Sequence, residues 1–158
     1  MNREVSLSML KDLLATSNDG ARGFALATKD NREPAVAGLF KDAEDSCRAA
    51  AVELENEVRL LGGVLEEGGA DKAPMYRGWT SFKAVPISRD TKQILEECER
   101  GGDYALSRYQ AALELDLPEA ARVLVERQQQ CVIAIHRRLL LARNRSAYTE
   151  IPRDWVQE

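Results

Sequence analysis

The chain has 158 residues, 44% hydrophobic, 30% charged and only 6% aromatic, with a formal net charge of −4. That length suits one domain that folds without a metal or disulfide, and the composition leans helical. The acidic balance argues against nucleic acid, which needs a clustered basic field, and no apolar run approaches the roughly 20 residues of a membrane span.

The first expected helix covers residues 6–29, where Leu7, Leu10, Leu14, Ser17, Ala21, Phe24 and Thr28 step alternately by three and four. That spacing is a seam of period 3.5. Val5 before a Ser6 N-cap, with Leu10 behind it, predicts a hydrophobic staple. Gly20 and Gly23 interrupt the helix interior, each at about 1 kcal/mol against alanine, and imply a neighbouring helix crossing closely. The second helix, 33–62, opens with Pro34 in its first turn and carries Val36, Phe40, Ala43, Cys47, Ala50 and Leu54 in register. Gly62-Gly63 ends it as a C-cap.

A Gly-rich acidic loop at 62–73 leads to a short expected helix at 74–85, with Met75, Tyr76, Trp79 and Phe82 along one side. Three turns do not stand alone in water, so this piece has to lie on the bundle, with Trp79 as its buried anchor. The third long helix, 90–116, starts at Asp90 with Gln93 completing a capping box. Its seam is Leu95, Cys98, Gly102, Ala105, Tyr109 and Ala112, and Glu96, Glu97, Glu99 and Arg100 read as a solvated charge run. Pro118 opens the fourth, 118–145, with the seam Ala121, Leu124, Gln128, Cys131, Ile135, Leu139 and Ala142. Gln128 is a buried amide that needs partners and fixes register. No segment alternates with period 2, so no sheet is expected.

Tight turns at 30–33 and 116–118 and a connection of about 28 residues between helices two and three specify the fold class. It is all-α: a ferritin-like four-helix bundle of two antiparallel hairpins joined by a long crossover that contains the short helix. The bundle takes residues 1–145, and 146–158 form a tail with Tyr148, Ile151 and Trp155, expected to dock on the bundle or a partner.

Several runs together resemble a known family. They are Arg77-Gly78-Trp79 with Lys83, Arg89-Asp90, and Ile94-Leu95-Glu96-Glu97-Cys98-Glu99-Arg100-Gly101 with Asp103. Asp19-Gly20, Gly23-Phe24, Leu117-Pro118, Glu126-Arg127-Gln128 and His136 agree as well. Across residues 7–144 the chain resembles an uncharacterised, mostly proteobacterial ferritin-like four-helix-bundle family, a domain of unknown function. It departs from that pattern at Gly102, where an acidic residue usually stands, and at Ala21-Arg22, which replace an acidic pair. The resemblance implies no established activity and only loosely suggests stress physiology.

A ferritin-like bundle raises the question of a carboxylate-bridged di-iron site, which needs Glu-x-x-His on two helices. The single histidine, His136, has Ile133 three residues before it, so two such pairs are impossible. The mid-bundle seam of Ser17, Ala21, Cys47, Ala50, Gly102, Ala105, Gln128 and Cys131 holds no carboxylate. The sequence thus predicts no bound metal or other cofactor. A degenerate site from Glu99, Asp103 and His136 is the alternative, against His136 pairing with a neighbouring carboxylate.

The three cysteines lie far apart on three seams and read as small buried hydrophobes, reduced in a cytoplasmic setting. The expected function is non-enzymatic, through self-association or a protein partner, and a metal-binding ferritin-like protein with an oxidase or storage role is the alternative. Ile133 and Leu140 project away from the core seam of helix four with His136 between them. A homodimer that covers this ridge beside Trp155 is the reading, and cover by the Trp79 helix or the tail is the alternative.

Overall fold

The computed structural model describes residues 2–65, 79 and 90–149, with side chains through 145. Four helices order the described residues: α1 (Arg3–Asp30), α2 (Pro34–Leu60), α3 (Thr91–Leu113) and α4 (Glu119–Thr149). Among the described residues there is no strand.

α1 begins a turn earlier than the sequence suggests. The cap is Asn2, whose side-chain oxygen accepts the Val5 N–H at 3.1 Å. Ser6 is therefore an interior, buried residue, and Val5 lies 44% exposed, so no staple forms. α2 starts on Pro34 and ends where Gly62 takes φ +79°, a left-handed conformation that glycine adopts without a Cβ penalty. At α3 the capping box is complete: Asp90 accepts from the Gln93 N–H at 2.8 Å and Gln93 accepts from the Asp90 N–H at 3.1 Å. α3 stops at Leu113 rather than 116 because the Arg122 guanidinium claims the Leu113 and Leu115 carbonyls at the α3–α4 turn.

Ion pairs fix the helix directions. Arg108 of α3 meets Asp12 of α1 at 2.7 Å, while Gly101 and Gly23 meet a common neighbour, Trp79. Numbers fall on one helix as they rise on the other, so α1 and α3 are antiparallel. Glu53 with Arg127, and Asp42 with Arg138 at 3.1 Å, give the same result for α2 and α4. With each hairpin antiparallel, α2 and α3 run parallel. The chain between Leu60 and Thr91 thus has to travel the length of the bundle, from the end where Arg3 donates to the Leu61 carbonyl to the end where Ile94 packs near Phe24. This is the two-hairpin, one-crossover architecture.

The core is divided. One cluster holds Leu7, Leu10, Leu14, Leu54, Val58, Tyr109, Ala121 and Val125; the other holds Phe24, Val36, Phe40, Trp79, Leu95, Cys98 and Leu139. Trp79 is 2% exposed but stands in no helix. Its position is set by the indole wedged between α1 and α3, not by helical backbone pairing. The rest of the expected 74–85 helix, and the tail beyond Thr149, lie outside the described residues.

Two burial expectations change. Glu97 is fully buried, not part of a solvated run, and Arg100 one turn on holds its carboxylate at 2.5 Å. Of the three cysteines expected to be buried only Cys98 is; Cys131 is exposed and Cys47 half-buried, because both seam positions border a gap.

Candidate functional site

Between the two core clusters lies a cavity of about 110 Å³. Its wall contains Ser17 and Gly20 of α1, Cys47 and Ala50 of α2, Gly102 and Ala105 of α3, and Gln128 and Cys131 of α4. These are the small and neutral mid-seam residues. Where leucines fill the two ends, glycine, alanine, serine and cysteine leave the middle underfilled. The exposed wall residues Ala49, Arg127 and Cys131 all belong to α2 and α4, which places the mouth between those helices.

One wall is polar. The Tyr109 hydroxyl donates to Gln128 Oε1 at 2.9 Å. Gln128 Nε2 in turn donates to the Ala50 carbonyl and to Glu53 Oε1, both at 3.2 Å. Glu53 also pairs with Arg127 at the rim. Gln128 thereby ties three helices together, as its seam position implied. Burial pushes the Tyr109 hydroxyl well above its ordinary range, with the Ser17 hydroxyl working against the shift. The ring stays neutral and serves as donor and acceptor, not as a base.

The cysteines differ in their surroundings. Burial pushes the Cys47 thiol up to about 12, even though its side chain borders the cavity, and it raises Cys98 as well. Thiolates are the reactive species. At pH 8, therefore, a maleimide should label Cys131 first, with Cys47 and Cys98 protected in the folded state; intact-mass kinetics check this order. Simultaneous labelling of all three in folded protein would contradict it. The same shift has a stability sign. An unfolded thiol ionises near pH 8.5, whereas Cys47 in the fold is held at about 12 and burial raises Cys98 as well, so both cysteines weaken the fold as pH rises above about 8.5.

His136 also borders the cavity, and its Nε2 lies 2.7 Å from Asp103 Oδ1. Glu99 is turned elsewhere, to Arg143 at 2.8 Å. The structure thus brings together two of the three residues of the degenerate site, and the third is neutralised by a guanidinium. The mid-bundle wall supplies mostly hydroxyls, thiols and an amide where a di-metal centre requires bridging carboxylates, and its one carboxylate among the described residues, Glu53, is engaged by Gln128 and Arg127. This donor set does not fit such a centre, and among the described residues no group of three His, Cys, Asp or Glu side chains is placed to hold a metal ion.

Trp79 closes one end of the cavity. Its indole lies between Gly23 and Gly101, so close that a Cβ on either glycine would overlap the ring, and Phe24 packs edge-on at a centroid distance of 4.9 Å. Each glycine ends the same pattern. Asp19-Gly20-Ala21-Arg22-Gly23 and Glu97-Cys98-Glu99-Arg100-Gly101 both read acidic-x-x-Arg-Gly, with the acid buried and its arginine three residues on. The close crossing predicted at Gly20 is there, against Cys47 of α2; at Gly23 the close neighbour is the Trp79 ring and not a helix. Sequence reasoning missed Gly101 and the repeat. Aligning the two five-residue runs would have found both.

On α4, Ile133 and Leu140 are half-buried, with Leu141 beside them 58% exposed. Trp155 lies outside the described residues. The family described as "Domain of unknown function (DUF2383)" matches residues 5–115. No curated protein matches the chain.

Proposed function

The chain belongs to this family of unknown function, DUF2383, and we propose that it works without catalysis, as a ferritin-like bundle that associates with a second copy of itself. The observation that carries the non-enzymatic half is the donor set of the bundle centre. Tyr109, Gln128, Ser17 and Cys47 occupy the place where a ferritin-like oxidase would need carboxylates. Among the described residues, the partner of His136 Nε2 is the Asp103 carboxylate and not a nucleophile.

Association is supported by α4. Leu141 presents a large apolar side chain to water at 58% exposure beside the half-buried Leu140, and Val123, nearly three turns before the half-buried Ile133, adds another at 55%. A two-fold dimer through this helix would remove them from solvent, with the segment after Thr149, which carries Trp155, docking alongside. A cytoplasmic location is supported by the three widely spaced cysteines, and a link to stress by the resemblance alone.

The test is sedimentation of an Ile133→Glu/Leu140→Glu variant. The dimer reading expects the wild type to sediment as a dimer, and the variant as a monomer whose helical circular dichroism survives. A wild-type chain that is monomeric at high micromolar concentration overturns it. Loss of folding in the variant, with no monomeric intermediate, assigns the ridge to cover within the chain. Metal analysis of protein from iron-, manganese- and zinc-supplemented cells tests the other half: one bound metal per chain would overturn the non-metal reading.

A further inference from the structure

We propose that the cavity between the two core clusters is a binding site for a small neutral molecule, mostly apolar and carrying one hydroxyl, of the phenol class. Four observations converge on it.

The first is size. A cavity of about 110 Å³ approaches the ~150 Å³ at which a buried apolar void takes up benzene. The second is the wall. Phe24, Trp79, Ile135 and Leu139 supply apolar surface, and polar atoms gather on one side, at Ser17, Tyr109 and Gln128. A ligand hydroxyl on that side would join the hydroxyl–amide chain, while its ring meets hydrocarbon.

The third is access. The mouth between α2 and α4 is framed by two cross-helix ion pairs, Glu53–Arg127 and Asp42–Arg138. The partners are eleven residues apart on each helix, or about 16 Å at 1.5 Å per residue. Between them stand Ser46, Ala49 and Ala50 on α2, too small to close the gap. The fourth is charge. Arg127 and Glu53 neutralise each other at the rim, His136 is paired with Asp103, and the buried Tyr109 and half-buried Cys47 are held protonated. A charged ligand would lose its hydration here with no counter-charge to replace it.

The experiment is an amide-shift titration of the full-length protein with phenol and with benzene. Phenol is expected to shift resonances around Ser17, Ala50, Ala105 and Gln128 saturably at millimolar concentration, and to bind more tightly than benzene. Tyr109→Phe should reduce that preference by about three- to tenfold, the value of one hydrogen bond. Ala105→Leu, which puts a side chain into the void, should abolish binding of both probes. Should that variant fail to fold, intermolecular nuclear Overhauser effects from phenol protons to the Ala50 and Ala105 methyls in wild-type protein locate the site directly. Saturable shifts for neither probe in folded wild type overturn the proposal. So does binding that survives in a folded Ala105→Leu variant, or Overhauser contacts confined to other residues. These readouts do not depend on oligomeric state, so a failed dimer leaves them interpretable.

Discussion

Trp79→Ala is expected to destabilise the protein by about 3–5 kcal/mol, the usual cost of emptying a well-packed aromatic site. The ring is 2% exposed, lies between Gly23 and Gly101, and meets Phe24 edge-on. Removing it opens the seam between α1 and α3 as well as releasing the crossover. For a domain of this size the loss corresponds to a melting-point drop of about 6–20 °C, and it is a large share of the 5–15 kcal/mol that stabilises a typical fold. Denaturant unfolding of both proteins by circular dichroism measures it. A change well under ~1 kcal/mol, the range of ordinary surface substitutions, would mean that Trp79 does not anchor the crossover. Hydrogen exchange adds a control. If the crossover detaches alone, protection falls only near residue 79; if the ring is part of the bundle core, α1 and α3 lose protection with it.

The bundle was legible because each level of the sequence agreed. Seams of period 3.5, Pro34 at a helix start, the Asp90–Gln93 box and Gly62 after α2 all point to the same four elements. Connection lengths then gave the topology. What stayed hidden came from side chains that reach across elements. A run such as Glu96-Glu97-Cys98-Glu99-Arg100 looks solvated by composition, yet the fold turns Glu97 inward, because its neighbours Cys98 and Gly101 face the Trp79 cluster. The cavity was visible only as a negative: the mid-seam list of Ser17, Cys47, Gly102 and Gln128 showed an absence of carboxylates, and the same list, read as volumes, is an underfilled layer. Cys131 lies on its seam as predicted by number, but a seam position is buried only where the facing helix is close, and α2 and α4 stand apart there. The Asn2 cap was missed because Ser6 is an equally good capping residue; only the side-chain bond to Val5 decides between them.

The glycines beside Trp79 give a sharper expectation, one of sign as well as size. Alanine is favoured over glycine inside a helix by about 1 kcal/mol, so Gly23→Ala or Gly101→Ala should stabilise an open helix face. Here the new methyl meets the indole: the nearest atoms to a Cβ on Gly23 or Gly101 all belong to the Trp79 ring. The ring must shift or leave, and overpacking of this kind costs about 1–3 kcal/mol, more than the propensity gain. Either substitution should therefore be net destabilising in the wild type, and the two should not add, since both displace the same side chain. In a Trp79→Ala background the obstacle is gone, and the same substitutions should become stabilising by up to about 1 kcal/mol. Gly38 of α2 is the control, because a Cβ there meets nothing within 4 Å; Gly38→Ala should stabilise both backgrounds equally. Equilibrium unfolding of the ten proteins formed by these three alanine substitutions, the Gly23→Ala/Gly101→Ala double and the wild-type glycines, each with and without Trp79, completes the cycle. If Gly23→Ala and Gly101→Ala change stability by the same amount whether or not Trp79 is present, the ring is not held between these helices. The acidic-x-x-Arg-Gly repeat would then lack its common cause, since the two glycines stand one helical turn beyond the buried Asp19 and Glu97 on antiparallel helices, where one ring has to fit both.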